Sequence, residues 1–244
     1  MHSDRHAGGV VCRPVIIAGS GPSLSCRLKD IAESGIPVAA VSTAIRVLPK
    51  PDYWVLLDDI NHHHGGQKAF DSARDESVRK VTPCHRHYFW DKFPNVEKVD
   101  MSSPKSQVRD DSVRGKVYRK YFDGRGGVLR AYNRSMTFCI QWAFLHFNCA
   151  IFCGMDHRTD RTKPYVYSYE IKASQVNSQN HNHRSELAQL IEWRPIAHAA
   201  GYIWLDWNVE GSPMKRACHG VFNGRESLDS VFGRALEQPS SVEC

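Results

Sequence analysis

Short runs of apolar residues alternate along this chain with longer stretches whose apolar residues are spaced as in helices. The first run, Val15 to Ala18, has the length and β-branching that are typical of a strand covered on both faces. Strands that alternate with helices in this way form parallel sheets with right-handed crossovers. We predict strands at residues 15–18, 36–43, 51–59, 149–156 and 201–208, with weaker candidates at 77–85 and 95–102.

The helices predicted between these strands differ in how much of their surface is apolar. Residues 134–148 are apolar almost all round, which predicts a helix buried in the core. Further helices are predicted at 24–34, 67–76 and 184–200. The pattern therefore predicts an α/β fold with a single Rossmann-like, mostly parallel sheet and helices on both faces.

The length and composition fit one domain. A chain of 244 residues, 41% hydrophobic and 24% charged, has an ordinary globular composition. We predict a flexible N-terminus at 1–12, an α/β domain at 13–210 with a basic insert at 105–134 and a lid loop at 157–183, and a C-terminal tail at 211–244. The first residues are too polar for a signal peptide, and no apolar stretch has the roughly 18 residues of a membrane span, which predicts a cytoplasmic protein.

Polar residues follow four of the predicted strands. They are Gly19–Ser23 within the stretch VIIAGSGPSL, then Ser42 with Thr43, Asp58, and Asp156. In a doubly wound sheet, ligands collect beyond the carboxyl ends of the strands, so we expect these residues to line one crevice. A strand-to-helix junction rich in Gly and Ser offers backbone N–H groups to a phosphate, although a tight turn would use the same residues. The motif is not a full G-x-G-x-x-G, because Leu24 replaces the third glycine.

The spacing of the candidate metal ligands is only weak evidence for a metal site. Asp58 and Asp59 could hold a divalent metal, but adjacent carboxylates on a strand point in opposite directions. The consecutive histidines 62–64 lack acid or cysteine partners at zinc-ligand spacing, and the eight cysteines form no C-x-x-C pair. We therefore assign no metal ligand and expect buried free thiols, with Asp58 kept as a candidate catalytic residue.

Two histidines stand at the end of the predicted lid loop. His181 and His183 precede the helix predicted at 184–200. A histidine above the crevice could act as a general base, since its pKa near 6.5 lets it accept a proton at neutral pH. The alternative is that both are capping or surface residues. The aromatic residues Tyr165, Tyr167 and Tyr169 in the same loop would suit a sugar or a base, or form a lid.

The positive charge is concentrated in the basic insert. Residues 105–134 contain nine basic and three acidic residues, an excess that equals the net charge of +6 for the whole chain. Tyr118, Tyr121, Phe122 and Tyr132 are interleaved with these charges. This combination is typical of a surface that binds the phosphate backbone and the stacked bases of a nucleic acid. A solvated helix and loop with an ordinary share of basic residues is an equal alternative.

Two stretches carry a resemblance to a known family. VIIAGSGPSL and RSMTFCIQWAFLHFNCAIFCGMD, with a histidine-bearing segment before the last helix and strand, resemble the Gly-x-Gly-Pro-Ser-Leu glycosyltransferase group. That group includes bacterial CMP-sialic-acid-dependent sialyltransferases, phage-borne glycosyltransferases and pterin pyrophosphokinase-like proteins. The resemblance implies a glycosyltransferase-A-like fold and these roles: phosphate binding by Gly19, Ser20, Gly21, Pro22 and Ser23, nucleotide contacts by Ser42 or Thr43, ribose or base binding by Asp156, and a base at His183 or His181.

The function predicted from the resemblance and the charge is nucleotide-sugar-dependent glycosyl transfer. The donor is a UDP- or CMP-sugar, and a metal is not required, although Asp58 and Asp59 leave a metal-dependent route open. The basic insert favours a DNA acceptor, a hydroxymethylated pyrimidine of the kind that phage enzymes modify, in the cytoplasm of a host cell. The alternatives are a sialyltransferase-like enzyme acting on a glycan or protein, a pterin pyrophosphokinase-like enzyme, and a non-catalytic nucleotide-binding protein.

Overall fold

The computed structural model describes residues 11–48, 50–57, 66–83, 90–99, 135–157, 173–208 and 210–237. Its strands are β1 (Pro14–Ala18), β2 (Val38–Val41), β3 (Tyr53–Val55), β4 (Arg79–Pro83), β5 (Val96–Val99), β6 (Cys149–Cys153), β7 (Ile203–Asp206) and β8 (Gly220–Val221). Its α-helices are α1 (Leu28–Glu33), α2 (Gly66–Arg74), α3 (Ser135–His146), α4 (Ala173–Ala199) and α5 (Leu228–Glu237). Short 3₁₀ helices span Pro22–Cys26, Ser42–Arg46 and Pro213–Arg216.

The described strands form one eight-stranded sheet in the order β5-β4-β3-β2-β1-β6-β7-β8. All seven neighbouring pairs are parallel. The strand order reverses between β1 and β6, so their carboxyl ends form the switch point where open α/β sheets bind ligands. The predicted α/β class and parallel sheet are confirmed.

Alternate residues along the central strands β1 and β6 enter two separate cores. Ile17 and Phe152 pack on the face covered by α3 and α4, whereas Ile16 and Ile151 pack on the face covered by α1, α2 and α5. Burial on both faces explains why β1, β2 and β6 are apolar at every position. Helix α3 is buried continuously from Thr137 to Phe144, as its apolar sequence predicts.

The last part of the predicted lid loop is helical. Residues 158–172 lie outside the described part of the chain, but α4 already begins at Ala173, so the loop prediction is wrong for residues 173–183. This stretch is polar and has no apolar period, and the buried core residues described on the helix lie further along, at Leu190, Trp193 and Ala197. His181 and His183 therefore lie on a helix.

The described part of the C-terminal tail, residues 211–237, packs on the sheet, so the boundary predicted at residue 210 does not separate it from the α/β domain. Strand β8 pairs with β7 through Leu205 and Gly220, and α5 buries Val231, Phe232 and Ala235 against the sheet. At the other end of the chain, residues 1–10 lie outside the described part, and the Val11 carbonyl accepts a hydrogen bond from the Asn148 side chain at 2.8 Å.

The described cysteines carry free thiols; Cys139, Cys149 and Cys153 are buried as predicted, and Cys218 is buried as well. Burial raises the pKa of the Cys153 thiol to about 12, so it stays protonated at neutral pH. Within the described part of the chain, no helix combines the length and apolarity that crossing a membrane requires.

Candidate functional site

The loops that follow β1 and β6 touch each other at the switch point. The Gly19 amide donates to the Cys153 carbonyl, and the Gly21 amide donates to the Gly154 carbonyl, both at 2.8 Å. A Cβ added at Gly19 would lie 2.5 Å from the Gly154 oxygen, so a side chain cannot fit between the loops. The glycines of VIIAGSGPSL are required by this close approach of two backbones.

Asp156 closes the same junction with its side chain. The Ser23 amide, in the first turn of the 3₁₀ helix Pro22–Cys26, donates to Asp156 Oδ2 at 2.9 Å. A Cβ at Gly21 would lie 2.4 Å from this oxygen. The structure thus brings together the predicted residues Gly19–Ser23 and Asp156, but as partners of one another, because the amides of Gly21 and Ser23 bind groups of the β6 loop rather than facing an open phosphate site.

Asn208, just after β7, forms hydrogen bonds with residues at the carboxyl ends of three strands, β1, β6 and β7. Its Oδ1 accepts from the Met155 amide at 2.9 Å and from the Ser23 hydroxyl at 3.4 Å. Its Nδ2 donates to Asp206 Oδ1 at 2.6 Å. Burial raises the pKa of Asp206, while the hydrogen bonds from Asn208 oppose that rise. Sequence reasoning did not single out Asn208, although it ends a predicted strand just as Asp156 does.

A second group of polar side chains joins the β6 loop to α4. His157 follows Asp156 directly and adopts the left-handed region with φ 45°. Its Nδ1 lies 3.8 Å from Glu186 Oε2, and the two side chains are 3% and 6% exposed. The His183 ring stands edge-on to the His157 ring, with centroids 5.9 Å apart. We call His157, His183 and Glu186 the histidine–glutamate cluster.

The cluster separates the two histidines that were predicted as candidate bases. His183 and Glu186 are three residues apart and so share one face of α4. His181 is exposed, and two residues along a helix place its side chain on another face. His157 and Glu186 were not predicted, because a strand end and a helix that lie far apart in the sequence meet only in the fold.

Ser42 and Thr43 are half-buried at the carboxyl end of β2, next to β1. Ser42 has a φ of 51°, and its carbonyl accepts a hydrogen bond from Trp54 Nε1 at 2.8 Å. Both residues begin the 3₁₀ helix Ser42–Arg46, where the prediction extended the strand. Asp58, residues 105–134 and the tyrosines of the lid loop lie outside the described residues, as do histidines 62–64.

A groove of about 460 Å³ lies at the opposite edge of the sheet, where Pro37 precedes β2 and Asp52 precedes β3. Apolar residues such as Ile31, Ile36 and Leu48 make up most of its lining. The polar junction and the histidine–glutamate cluster lie at the carboxyl ends of the strands, which makes that edge the candidate functional site.

No protein-family model matches the sequence, and no curated protein matches it. Among solved structures, the fold is similar to that of the sialyltransferase CstII from Campylobacter jejuni in complex with a substrate analogue, cytidine-5'-monophosphate. The two chains are 16% identical, the match covers 90% of this chain and 89% of that one, and the TM-score is 0.49. A likeness at this level transfers neither a substrate nor a residue's role to this chain.

Proposed function

We propose that the protein is a nucleotide-sugar-dependent glycosyltransferase whose donor lies across the carboxyl ends of β1, β2 and β6. One observation carries the proposal. At the switch point of a parallel sheet, two loops pack closely against each other at glycine residues, and Asp156 and the histidine–glutamate cluster lie beside them. Open α/β sheets bind nucleotides at that point. The resemblance of VIIAGSGPSL to the Gly-x-Gly-Pro-Ser-Leu group supports the same assignment.

The half-buried hydroxyls at this edge are suited to a nucleotide. Ser20 lies between the two packed glycines, and Ser42 and Thr43 lie at the end of the neighbouring strand. We propose that they bind the phosphate and ribose of a UDP- or CMP-sugar. The Asp156 carboxylate, which accepts from the Ser23 amide, holds the shape of the junction and presents its second oxygen for a ribose hydroxyl.

The reaction needs a group that takes the proton of the acceptor. The acceptor oxygen forms a bond to the anomeric carbon, and the bond from that carbon to the phosphate oxygen breaks, so that its electron pair leaves with the nucleotide. The hydroxyl proton passes to a base, for which the histidine–glutamate cluster is the candidate. His183 is the predicted base that belongs to the cluster, and His181 does not.

The donor is tested by thermal unfolding with UDP, CMP and their sugar conjugates. A ligand that binds only the folded chain raises the melting temperature, and we expect one nucleotide-sugar to do so with an affinity that depends on Ser42 and Thr43. Product formation is then followed by mass spectrometry with a hydroxymethylated-pyrimidine DNA, a glycan and a protein as acceptors. Stabilisation by ATP with release of AMP, and none by any nucleotide-sugar, would favour the pyrophosphokinase-like alternative.

The base is tested with a matched pair of variants. We expect His183→Gln to lower kcat by about 10²- to 10⁴-fold, the usual contribution of general base catalysis, and His181→Gln to leave it within a few-fold. Equal losses in both variants, or full activity in His183→Gln, would remove the cluster from the mechanism. For the DNA acceptor, we expect Arg119→Ala with Lys120→Ala to weaken binding and flatten its dependence on salt.

A further inference from the structure

We propose that the histidine–glutamate cluster is a binding site for one divalent transition-metal ion, most suitably Zn²⁺. His157, His183 and Glu186 each offer one ligand atom, and these atoms all lie within 4.8 Å of one another. Two imidazole nitrogens and one carboxylate oxygen form a ligand set that zinc enzymes use, with the fourth position left for water. The sequence spacing gave no sign of this set, because only His183 and Glu186 are close along the chain.

The backbone holds the ligands from two sides. His183 and Glu186 project from the same face of α4, one turn apart. His157 approaches from the β6 loop, which turns away from the strand at Gly154 with φ 65° and again at His157 with φ 45°. A left-handed conformation is costly for a residue other than glycine, so the surrounding structure must hold His157 in place. The ion would thus bridge the sheet edge and the helix.

The distance between two of the ligand atoms is within about 0.5 Å of that in an occupied site. Ligand atoms bound tetrahedrally to zinc at about 2.0–2.1 Å stand about 3.3 Å apart. His157 Nδ1 and Glu186 Oε2 are 3.8 Å apart, so a small side-chain rotation brings both to bonding distance. The Glu186 side chain is only 6% exposed, which keeps bulk water away from the proposed ligand set.

The role of the ion rests on the proposed function. Three protein ligands leave a position for water, and zinc lowers the pKa of its bound water to about 7. The resulting hydroxide would accept the proton of the acceptor hydroxyl and become water, with no oxidation or reduction. With the ion bound, His183 would be a metal ligand and not the base named under the proposed function, and the bound hydroxide would take the proton in its place. His157, next in sequence to Asp156, sets the ion beside the nucleotide crevice.

The site is tested by direct binding, without an activity readout. The full chain is freed of metal with a chelator, and Zn²⁺ is titrated by calorimetry, with Co²⁺ absorption as a second probe of the ligand set. We expect one ion per chain, at least tenfold weaker binding in Glu186→Gln and His183→Gln, and unchanged binding in the control Glu192→Gln, an exposed position further along α4. Circular dichroism and urea unfolding of each metal-free variant establish that it is folded.

The outcomes separate the metal site from the enzyme activity. Absence of zinc binding by the wild type, or equal binding by wild type and Glu186→Gln, would overturn the metal site. A chelated wild type that transfers sugar at full rate would overturn the catalytic role of the ion. Zinc binding that the cluster variants abolish would support the site even if no nucleotide-sugar were used, a result that would count against the proposed function alone.

Discussion

Gly154 is the glycine of the candidate site where an added side chain would be most costly. Its φ of 65° is one that L side chains rarely adopt, and a Cβ added there would lie 2.4 Å from the Gly19 oxygen and 2.9 Å from the Leu24 Cβ. Gly201 offers a matched control, because its φ is 75° and a Cβ there would meet nothing within 4 Å. Alanine at either position would therefore pay the cost of a left-handed backbone conformation. Only at Gly154 would its side chain also clash with neighbouring atoms.

The two costs can be given separate magnitudes. An alanine in the left-handed region costs about 1–2 kcal/mol, which applies to both positions. Overpacking a closely packed place adds about 1–3 kcal/mol, which applies only to Gly154. The gain from a stiffer unfolded chain, about 0.4–1 kcal/mol, is common to both. We expect Gly201→Ala to destabilise by about 1 kcal/mol and Gly154→Ala by roughly 1–3 kcal/mol more.

The assay is urea unfolding followed by tryptophan fluorescence, which the buried tryptophans of both cores make sensitive to loss of packing. The free energy of unfolding in water is compared for the wild type and the two variants. If Gly154→Ala and Gly201→Ala lose the same free energy within about 0.5 kcal/mol, the loops after β1 and β6 do not approach as described. The reasoning about the switch point would then be refuted.

Three further predictions concern single side chains. Burial lowers the pKa of His219 to about 4, so between pH 6.5 and 4 the unfolded chain binds more protons than the folded chain. The free energy of unfolding, measured by urea titration, should therefore fall by about 2 kcal/mol from pH 7 to pH 5. The fall should be smaller in His219→Gln. Asn208→Ala should cost about 2–4 kcal/mol in the same assay, because it removes the acceptor of the Met155 amide. Lys98→Ala should change stability by less than about 1 kcal/mol, because its ion pair with Asp91 is exposed.

The fold was predictable where burial leaves a mark on composition. β1, β2, β6 and β7 are buried at nearly every position, so they stand out as short apolar runs. Helix α3 is recognisable for the same reason. The first turns of α4 are polar, and β8 is two residues long, so neither produces an apolar pattern. Their structure depends on neighbours that lie far away in the sequence.

The candidate site was predictable only in outline. Polar residues at strand ends can be read from the sequence, because the end of an apolar run is visible and parallel strands share one edge. The partners of those residues cannot, as the pairing of Asp156 with the Ser23 amide shows. The residues missed, His157, Glu186 and Asn208, act through contacts with other elements.

The four residues Gly154 to His157 connect the two parts of the site. Asp156 binds the loop after β1, and its neighbour His157 faces Glu186 on α4, so one turn of backbone positions both the crevice and the cluster. A displacement of the backbone at Gly154 must therefore change the position of His157. We expect Gly154→Ala to weaken zinc binding at least tenfold, whereas Gly201→Ala, between α4 and β7, should leave it unchanged. Calorimetry on folded protein measures this, and equal zinc affinity in the two variants would show that the turn does not position the metal ligand.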